Sequence, residues 1–135
     1  MIPDRAVLDS SVLIRATATG STDARRWFAA VQTEEVRALA PELVYAELAS
    51  ALRKYVRVGS MTSGAAGRVL DTLLLVPLEI ESLRRLAPSA LGVSVARGLS
   101  AYDAFYVALA DAADAPLVTA DRRLAAATGR SILIE

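Results

Sequence analysis

An α/β fold built on a mostly parallel sheet is what this sequence predicts, on three observations. Short apolar runs of strand length alternate with longer amphipathic stretches along the whole chain. Capping and turn residues fall between these runs, where helices should begin and end. With 135 residues, 54% of them hydrophobic and 22% charged, the chain is long and apolar enough to bury a substantial core. Strands that alternate with helices imply a parallel sheet covered on both faces.

The elements follow in order. Ala6, Val7 and Leu8 form a buried-type strand that ends at Asp9. Ser10 or Ser11 can cap a short helix through about Thr17. After a loop at Thr19–Thr22, Ser21 or Thr22 opens a helix with Trp27, Phe28 and Val31 on one face. Val36–Ala40 reads as the second strand. Pro41 then stands where a helix favours proline, at its start, and the helix runs from Glu42 to Val58 and stops at Gly59. Thr62 or Ser63 opens the next, through Leu75. Leu78–Ile80 is the third strand. Leu83–Ala87 is helical or turn-like, Pro88 breaks it, and a new helix starts near Ser89 and ends at Gly98. Ser100 caps a helix through Ala113. Pro116–Thr119 is the fourth strand, a helix follows from Asp121, and Ile132–Ile134 is the fifth strand. No linker, internal repeat or low-complexity block interrupts the pattern, so a single domain over residues 1–135 is expected.

Composition narrows the chemistry. Fifteen basic and fifteen acidic residues leave a formal net charge of zero, which argues against a broad non-specific nucleic-acid surface. A small site, where a metal and a few arginines hold one phosphate, remains compatible. The basic residues are almost all arginine, and Lys54 is the only lysine. There is no cysteine and no histidine. Disulfides, thiolate chemistry, soft-metal sites and a histidine general base are excluded. Any metal must be held by oxygen, which points to Mg²⁺ or Mn²⁺. No apolar run is long enough for a membrane span. The stretch Met1–Arg5 lacks the layout of a signal peptide, so a cytoplasmic protein is expected.

Four acids stand out. Asp9 lies at the carboxyl end of the first strand and Asp121 just past that of the fourth, where parallel sheets bind their ligands. Glu47 sits in an apolar helix, and Asp103 in the first turn of another. Asp and Glu are rarely buried unless paired or metal-bound. Each also fits a plainer role. Asp9 and Asp121 are possible helix caps, Asp103 stands at capping-box spacing from Ser100, and Glu47 fits a solvated stripe. Taken together, four acids in such places point to a site. Two carboxylates ~5 Å apart repel by roughly 3 kcal/mol at an effective dielectric near 20, so a cluster would stay ionised only around a divalent cation. The other acids read as termini, caps or solvated faces, and Trp27, Phe28, Phe105 and Tyr106 as core.

The residues around these acids resemble PIN-domain ribonucleases. Val7-Leu8-Asp9-Ser10-Ser11-Val12-Leu13-Ile14 resembles the opening motif of that family. Pro41-Glu42-Leu43-Val44-Tyr45-Ala46-Glu47-Leu48 resembles the second, Gly98–Tyr106 the third and Pro116–Asp121 the fourth. Each motif alone is weak; four in order and at matching spacing are specific. A chain of this size most resembles the VapC-type toxins of bacterial toxin–antitoxin pairs. The resemblance implies a PIN-like three-layer sandwich whose five-stranded sheet has the order 3-2-1-4-5. It implies Mg²⁺ or Mn²⁺ dependence and endonucleolytic RNA cleavage. It places Asp9, Glu47, Asp103 and Asp121 on the catalytic, metal-binding positions and Ser11 and Thr119 on the supporting hydroxyl positions. It also implies a homodimer and inhibition by a small VapB-type antitoxin.

Three rival readings meet obstacles in the sequence. A haloacid-dehalogenase-type phosphatase needs a second Asp two residues after the first, where this chain has Ser11, and a late lysine, which Lys54 is not. A receiver-like module needs an acidic pair at the first strand and a lysine beside the last strands. A PIN domain that only binds RNA or a partner would not need all four acids. Finally, Leu48, Leu52, Tyr55 and Val56 form one apolar stripe, and Val69, Leu70, Leu73 and Leu74 another. Surplus apolar surface of this kind marks a partner site, with simple burial against the sheet as the alternative. By the resemblance, these helices form the dimer face and a groove for an antitoxin helix.

Overall fold

The first strand, β1 (Arg5–Leu8), owes its place to Ala6, Val7 and Leu8, none of which touches solvent. Flanking it on one side is β2 (Arg37–Pro41) and on the other β4 (Leu117–Thr119), and β3 (Leu78–Glu81) and β5 (Ser131–Leu133) form the edges. This computed structural model describes residues 2–135. Met1, part of the N-terminal stretch read above for a leader, lies outside the described residues. All four strand pairings are parallel and the order is β3-β2-β1-β4-β5, as the resemblance implied.

Strand residues alternate between two cores, as a pleated sheet requires. Ala6, Leu8, Ala38, Ala40 and Val118 face one core. It is completed by α1 (Ser10–Ile14), α2 (Thr22–Gln32), α3 (Val44–Arg57) and α4 (Ser63–Leu74). Val7 and Leu117 face the other, which α5 (Leu83–Arg97), α6 (Ala101–Ala113) and α7 (Arg122–Ala126) cover. Ala90, Ala104 and Ala108, all buried, make the contact between α5 and α6. Gly98, at φ 68°, ends α5 in the left-handed region and lets the chain turn back to Ser100, whose hydroxyl caps α6.

Several sequence expectations are corrected by the structure. Pro41 ends β2 and pairs with Glu81 of β3; it does not begin a helix, and α3 starts at Val44. A proline is tolerated there because β1 pairs with β2 only up to Leu39, so no neighbour asks for its missing N–H. Pro88 does not break its helix: α5 is continuous from Leu83 to Arg97. The bond that Pro88 cannot donate would end on the Arg84 carbonyl, and both residues are exposed, so water can replace it. The helix after β1 takes Asp9 as its N-cap position, and the Ser10 and Ser11 hydroxyls turn to the Asp9 side chain. Beyond Ile14 the helix widens into a π turn, Arg15–Thr19. Thr17 and Thr19 donate their hydroxyls to the carbonyls of Leu13 and Arg15, contacts that compete with the regular ladder.

Most of the apolar surplus on α3 and α4 serves the sheet. Leu48, Leu52 and Leu73 are buried in the core, Tyr55, Val56, Val69 and Leu70 are half-buried, and only Leu74 of the two stripes is exposed. No helix among the described residues is long and apolar enough to cross a membrane.

Replacing Pro88 by Ala restores one exposed backbone bond while freeing the unfolded chain slightly. It is expected to raise the unfolding free energy by roughly 1–2 kcal/mol, measured by urea titration. An unchanged or lowered midpoint would mean that α5 depends on the proline.

Candidate active site

The strand order makes β1 and β4 neighbours although they are distant in sequence, and the chain reverses its direction of build-up between them. Open α/β sheets bind ligands at the carboxyl ends of the strands beside such a switch. Asp9 is the first residue past β1 and is buried. Its backbone N–H donates to Val118 of β4 at 3.0 Å. Its carboxylate is clamped by hydroxyls: Thr119 donates at 2.7 Å, Ser11 at 2.9 Å and Ser10 at 3.3 Å. Those hydroxyls are held in turn. Ser11 accepts from the Ala120 N–H and Thr119 from the Asp121 N–H, both at 3.0 Å. Ser11 and Thr119 thus fix the first acid and stitch α1 to the β4 end. Ser10, which the sequence reading used only as a capping candidate, belongs to the same clamp.

Glu47 lies in the first turn of α3, half-buried, and accepts a short hydrogen bond from the Tyr106 hydroxyl. Burial is the main reason its carboxyl is raised above its ordinary value. The charges of Asp9 and Asp103 add to that push, and the Tyr106 and Ser10 hydroxyls oppose it. Tyr106 itself is fully buried. Burial, and then the charges of Glu47 and Asp9, hold its phenol protonated well above the ordinary range, so it remains a donor. Sequence reasoning assigned Tyr106 to the core. The overlooked signal was its spacing, three residues after Asp103 on α6, which puts both on one helix face.

Asp103 is in the first turn of α6, half-buried. Its carboxyl is raised, first by burial and then by the charge of Asp121, with a smaller push from Asp9. Its backbone N–H donates to Ser100 at 3.1 Å, so the expected cap is present, made by Ser100. Asp121 caps α7: its Oδ1 accepts from Arg123 N–H at 2.9 Å and from Leu124 N–H at 3.3 Å. The plain role weighed for Asp121 is therefore real. It occupies one oxygen of an exposed carboxylate and leaves the other free.

The charges of Asp9 and Asp103 thus reach Glu47, and those of Asp121 and Asp9 reach Asp103, beside the carboxyl ends of β1 and β4. Glu47 and Asp103 sit at helix N-termini, whose partial positive charge favours anions. Among the described residues no arginine or lysine forms an ion pair with any of the four; the ion pairs are Arg37–Glu79, Arg85–Glu81, Arg97–Asp111 and Arg130–Asp114. Among the described residues, too, no three acids are already drawn together tightly enough to hold an ion. Hydrogen bonds explain the spread. Both Asp9 oxygens accept hydroxyls, one Glu47 oxygen is turned to Tyr106, and one Asp121 oxygen serves its helix. The donor set, all carboxylate and hydroxyl oxygen, fits a hard divalent cation.

Fold and site together define a class. The PIN domain family matches residues 6–129, and the chain belongs to that family. Among its relatives is ribonuclease VapC1 of Mycobacterium tuberculosis, 39% identical over 92 residues that span 67% of each chain. The crystal structure of PAE2754 from Pyrobaculum aerophilum superposes with a TM-score of 0.73 at 28% identity, over 95% of this chain and 87% of that one. A toxin–antitoxin complex from Klebsiella pneumoniae contains a chain of the same fold, with a TM-score of 0.68 at 18% identity, covering 94% and 95%.

The raised carboxyls give a pH signature. Glu47 and Asp103 keep their protons in the folded protein above their ordinary values of 4.5 and 3.8, whereas the unfolded chain releases them at those values. Folding then favours the protonated forms, so their contribution falls as pH rises through that window and is restored on acidification. Metal-free protein should lose melting temperature as pH rises above those ordinary values, and Glu47→Gln should flatten that loss. An equal slope in both proteins would contradict the assignment. Tyr106→Phe removes the donor to Glu47, together with the hydroxyl's link to the Ser10 backbone, and should cost about 1–2 kcal/mol at neutral pH by denaturant titration.

Proposed function

We propose that this chain is a divalent-cation-dependent endoribonuclease, the toxin of a toxin–antitoxin pair, with Asp9, Glu47, Asp103 and Asp121 as its catalytic, metal-binding acids. The observation that carries the reading is the gathering of Asp9, Glu47, Asp103 and Asp121 at the β1–β4 switch, where neighbouring acids push up the Glu47 and Asp103 carboxyls and, among the described residues, no arginine or lysine is ion-paired with any of the four. Membership of the PIN domain family and a VapC ribonuclease among the relatives support the substrate class. The four acids would hold Mg²⁺ or Mn²⁺, which supplies an acidified water near neutral pH and neutralises charge at the scissile phosphate. Asp9 is the anchor, because three hydroxyls and a strand end hold it in one orientation. Glu47, steadied by Tyr106, and Asp103 bring two further carboxylates from helix starts. Asp121 adds the free oxygen of an exposed side chain, and either it or Asp103 would orient the water. Ser11 and Thr119 support the site by fixing Asp9.

The phosphatase alternative is disfavoured by geometry as well as sequence. The side chain two residues after Asp9 is the Ser11 hydroxyl, committed between Asp9 and the Ala120 N–H and without acid–base character. On the same reading, the toxin–antitoxin neighbour supports a VapB-type antitoxin as partner. A groove of about 310 Å³ between α3 and α4, floored by Leu52, Val56 and Leu70 and edged by Arg53 and Arg57, suits an amphipathic antitoxin helix with acidic flanks. A homodimer fits the exposed Leu74 and Leu75 beside it.

Purified protein is expected to cut single-stranded RNA with Mg²⁺ or Mn²⁺ and to stop with chelator. Asp9→Asn should abolish cutting and also the rise in melting temperature that Mg²⁺ gives the wild type. Asp9→Asn protein that cuts at the wild-type rate would overturn the metal-site assignment.

A further inference from the structure

A trough of about 460 Å³ leaves the acidic site between α1 with its π turn and α3. That volume is in the range of small-ligand clefts, ~300–1,000 Å³. Its inner end is Ser10 and Ser11, the same hydroxyls that hold Asp9, so the trough and the acids are continuous. The floor and walls are apolar, from Ile14, Ala51, Val58 and the half-buried ring of Tyr55. Arg15 and Lys54 bring positive charge to the trough's two walls. No acid lines it, although the chain as a whole is electrically neutral.

The α3 side is one helical stripe. Glu47, Ala51, Tyr55 and Val58 follow at spacings of four, four and three, with Lys54 three after Ala51 and four before Val58, so they line one side of the helix from the acidic site outward. Lys54 stands seven residues beyond Glu47, about 10 Å along the axis. It is exposed, and among the described residues it has no ion-pair partner. On the opposite wall the π turn presents Arg15 and Thr19. One Arg15 nitrogen donates to the Glu135 carbonyl at 3.1 Å, which braces the side chain and leaves its remaining donors available. π turns inside helices are frequent at functional positions.

We propose that this trough seats the nucleotide next to the scissile phosphate, with its base against Tyr55 and its outer phosphate between Lys54 and Arg15. The proposal rests on the ribonuclease reading and adds a specificity subsite to it. Single-stranded RNA combines apolar aromatic faces with negative charge, and the trough sets an aromatic wall beside two positive charges. Base–aromatic stacking tolerates sequence but still ranks bases by their stacking strength. Tyr55 would therefore set a graded preference for the base beside the cut, and Lys54 would add affinity without sequence preference.

The test uses the full chain and a random-sequence single-stranded RNA pool. Cut sites are read by end sequencing, and binding is measured by fluorescence anisotropy on Asp9→Asn protein. Tyr55→Leu should raise KM about ten-fold with kcat little changed, and should flatten the base preference beside the cut. Tyr55→Phe should restore both. Lys54→Ala, an exposed change that should not alter melting, should weaken binding evenly across sequences and lower the salt slope by about one. Wild-type KM, base preference and salt slope in Tyr55→Leu and Lys54→Ala would overturn the subsite. So would variants that handle RNA normally but lose inhibition by purified antitoxin, which would assign the trough to a protein partner. RNA that binds through Tyr55 and Lys54 but is never cut would instead reject the ribonuclease reading and leave the subsite standing.

Discussion

Negative charge concentrated beside the β1–β4 switch is the constraint on which the rest of this structure depends. Carboxylates gathered at helix starts and strand ends repel one another, by roughly 3 kcal/mol for a pair ~5 Å apart, and burial adds to that cost. The fold keeps the charges there with devices that are all local. Three hydroxyls take up Asp9, a buried phenol takes up Glu47, and backbone N–H groups take up Asp121. Among the described residues no arginine or lysine forms an ion pair with any of the four, and only the charge of Arg123 eases Asp103. A site that needed only stability would be expected to pair these acids with basic side chains, since basic residues are as numerous as acidic ones in the chain.

The same hydrogen bonds tie the site to the fold. Ser11 and Thr119 belong to different halves of the chain, 108 positions apart in sequence, yet both donate to one Asp9 oxygen. Tyr106 joins α6 on one face of the sheet to Glu47 at the start of α3, whose core lies on the other face. The acids are thus held by contacts between layers, and rearranging one layer would be felt at the site. The π turn extends this logic outward, because the threonines that loosen the helix also place Arg15 and Thr19 along the trough.

The sheet was legible in the sequence for physical reasons, and the four acids were readable as candidates from their places at strand ends and in helices. Ala6–Leu8 and Leu117–Thr119 are short apolar runs ending at polar residues, the pattern of strands buried on both faces that open onto a ligand edge. Ser100, Ser21 and Thr62 were readable as caps, and each of their side chains accepts the expected backbone N–H. Pro41 and Pro88 were misread because the cost of a proline depends on whether its missing bond is needed. That is decided by strand register and solvent exposure, which no local pattern carries. Tyr106 was misplaced for a related reason. Its ring belongs to the core, and only the three-dimensional position of its hydroxyl reveals the carboxylate it serves. The apolar stripes of α3 and α4 gave the right helices, but how much of each stripe the sheet would consume depended on packing.

Membership of the PIN domain family fits a nuclease, and the proposed mechanism depends on the four acids holding a divalent cation. Anomalous scattering from crystals soaked in Mn²⁺ tests it most directly. The account predicts a single strong region of anomalous density bounded by Asp9, Glu47, Asp103 and Asp121, with Glu47 turned toward it, and no such density in Asp9→Asn crystals. Soaked crystals with no density at these acids, from protein that still cuts RNA in the presence of chelator, would contradict it.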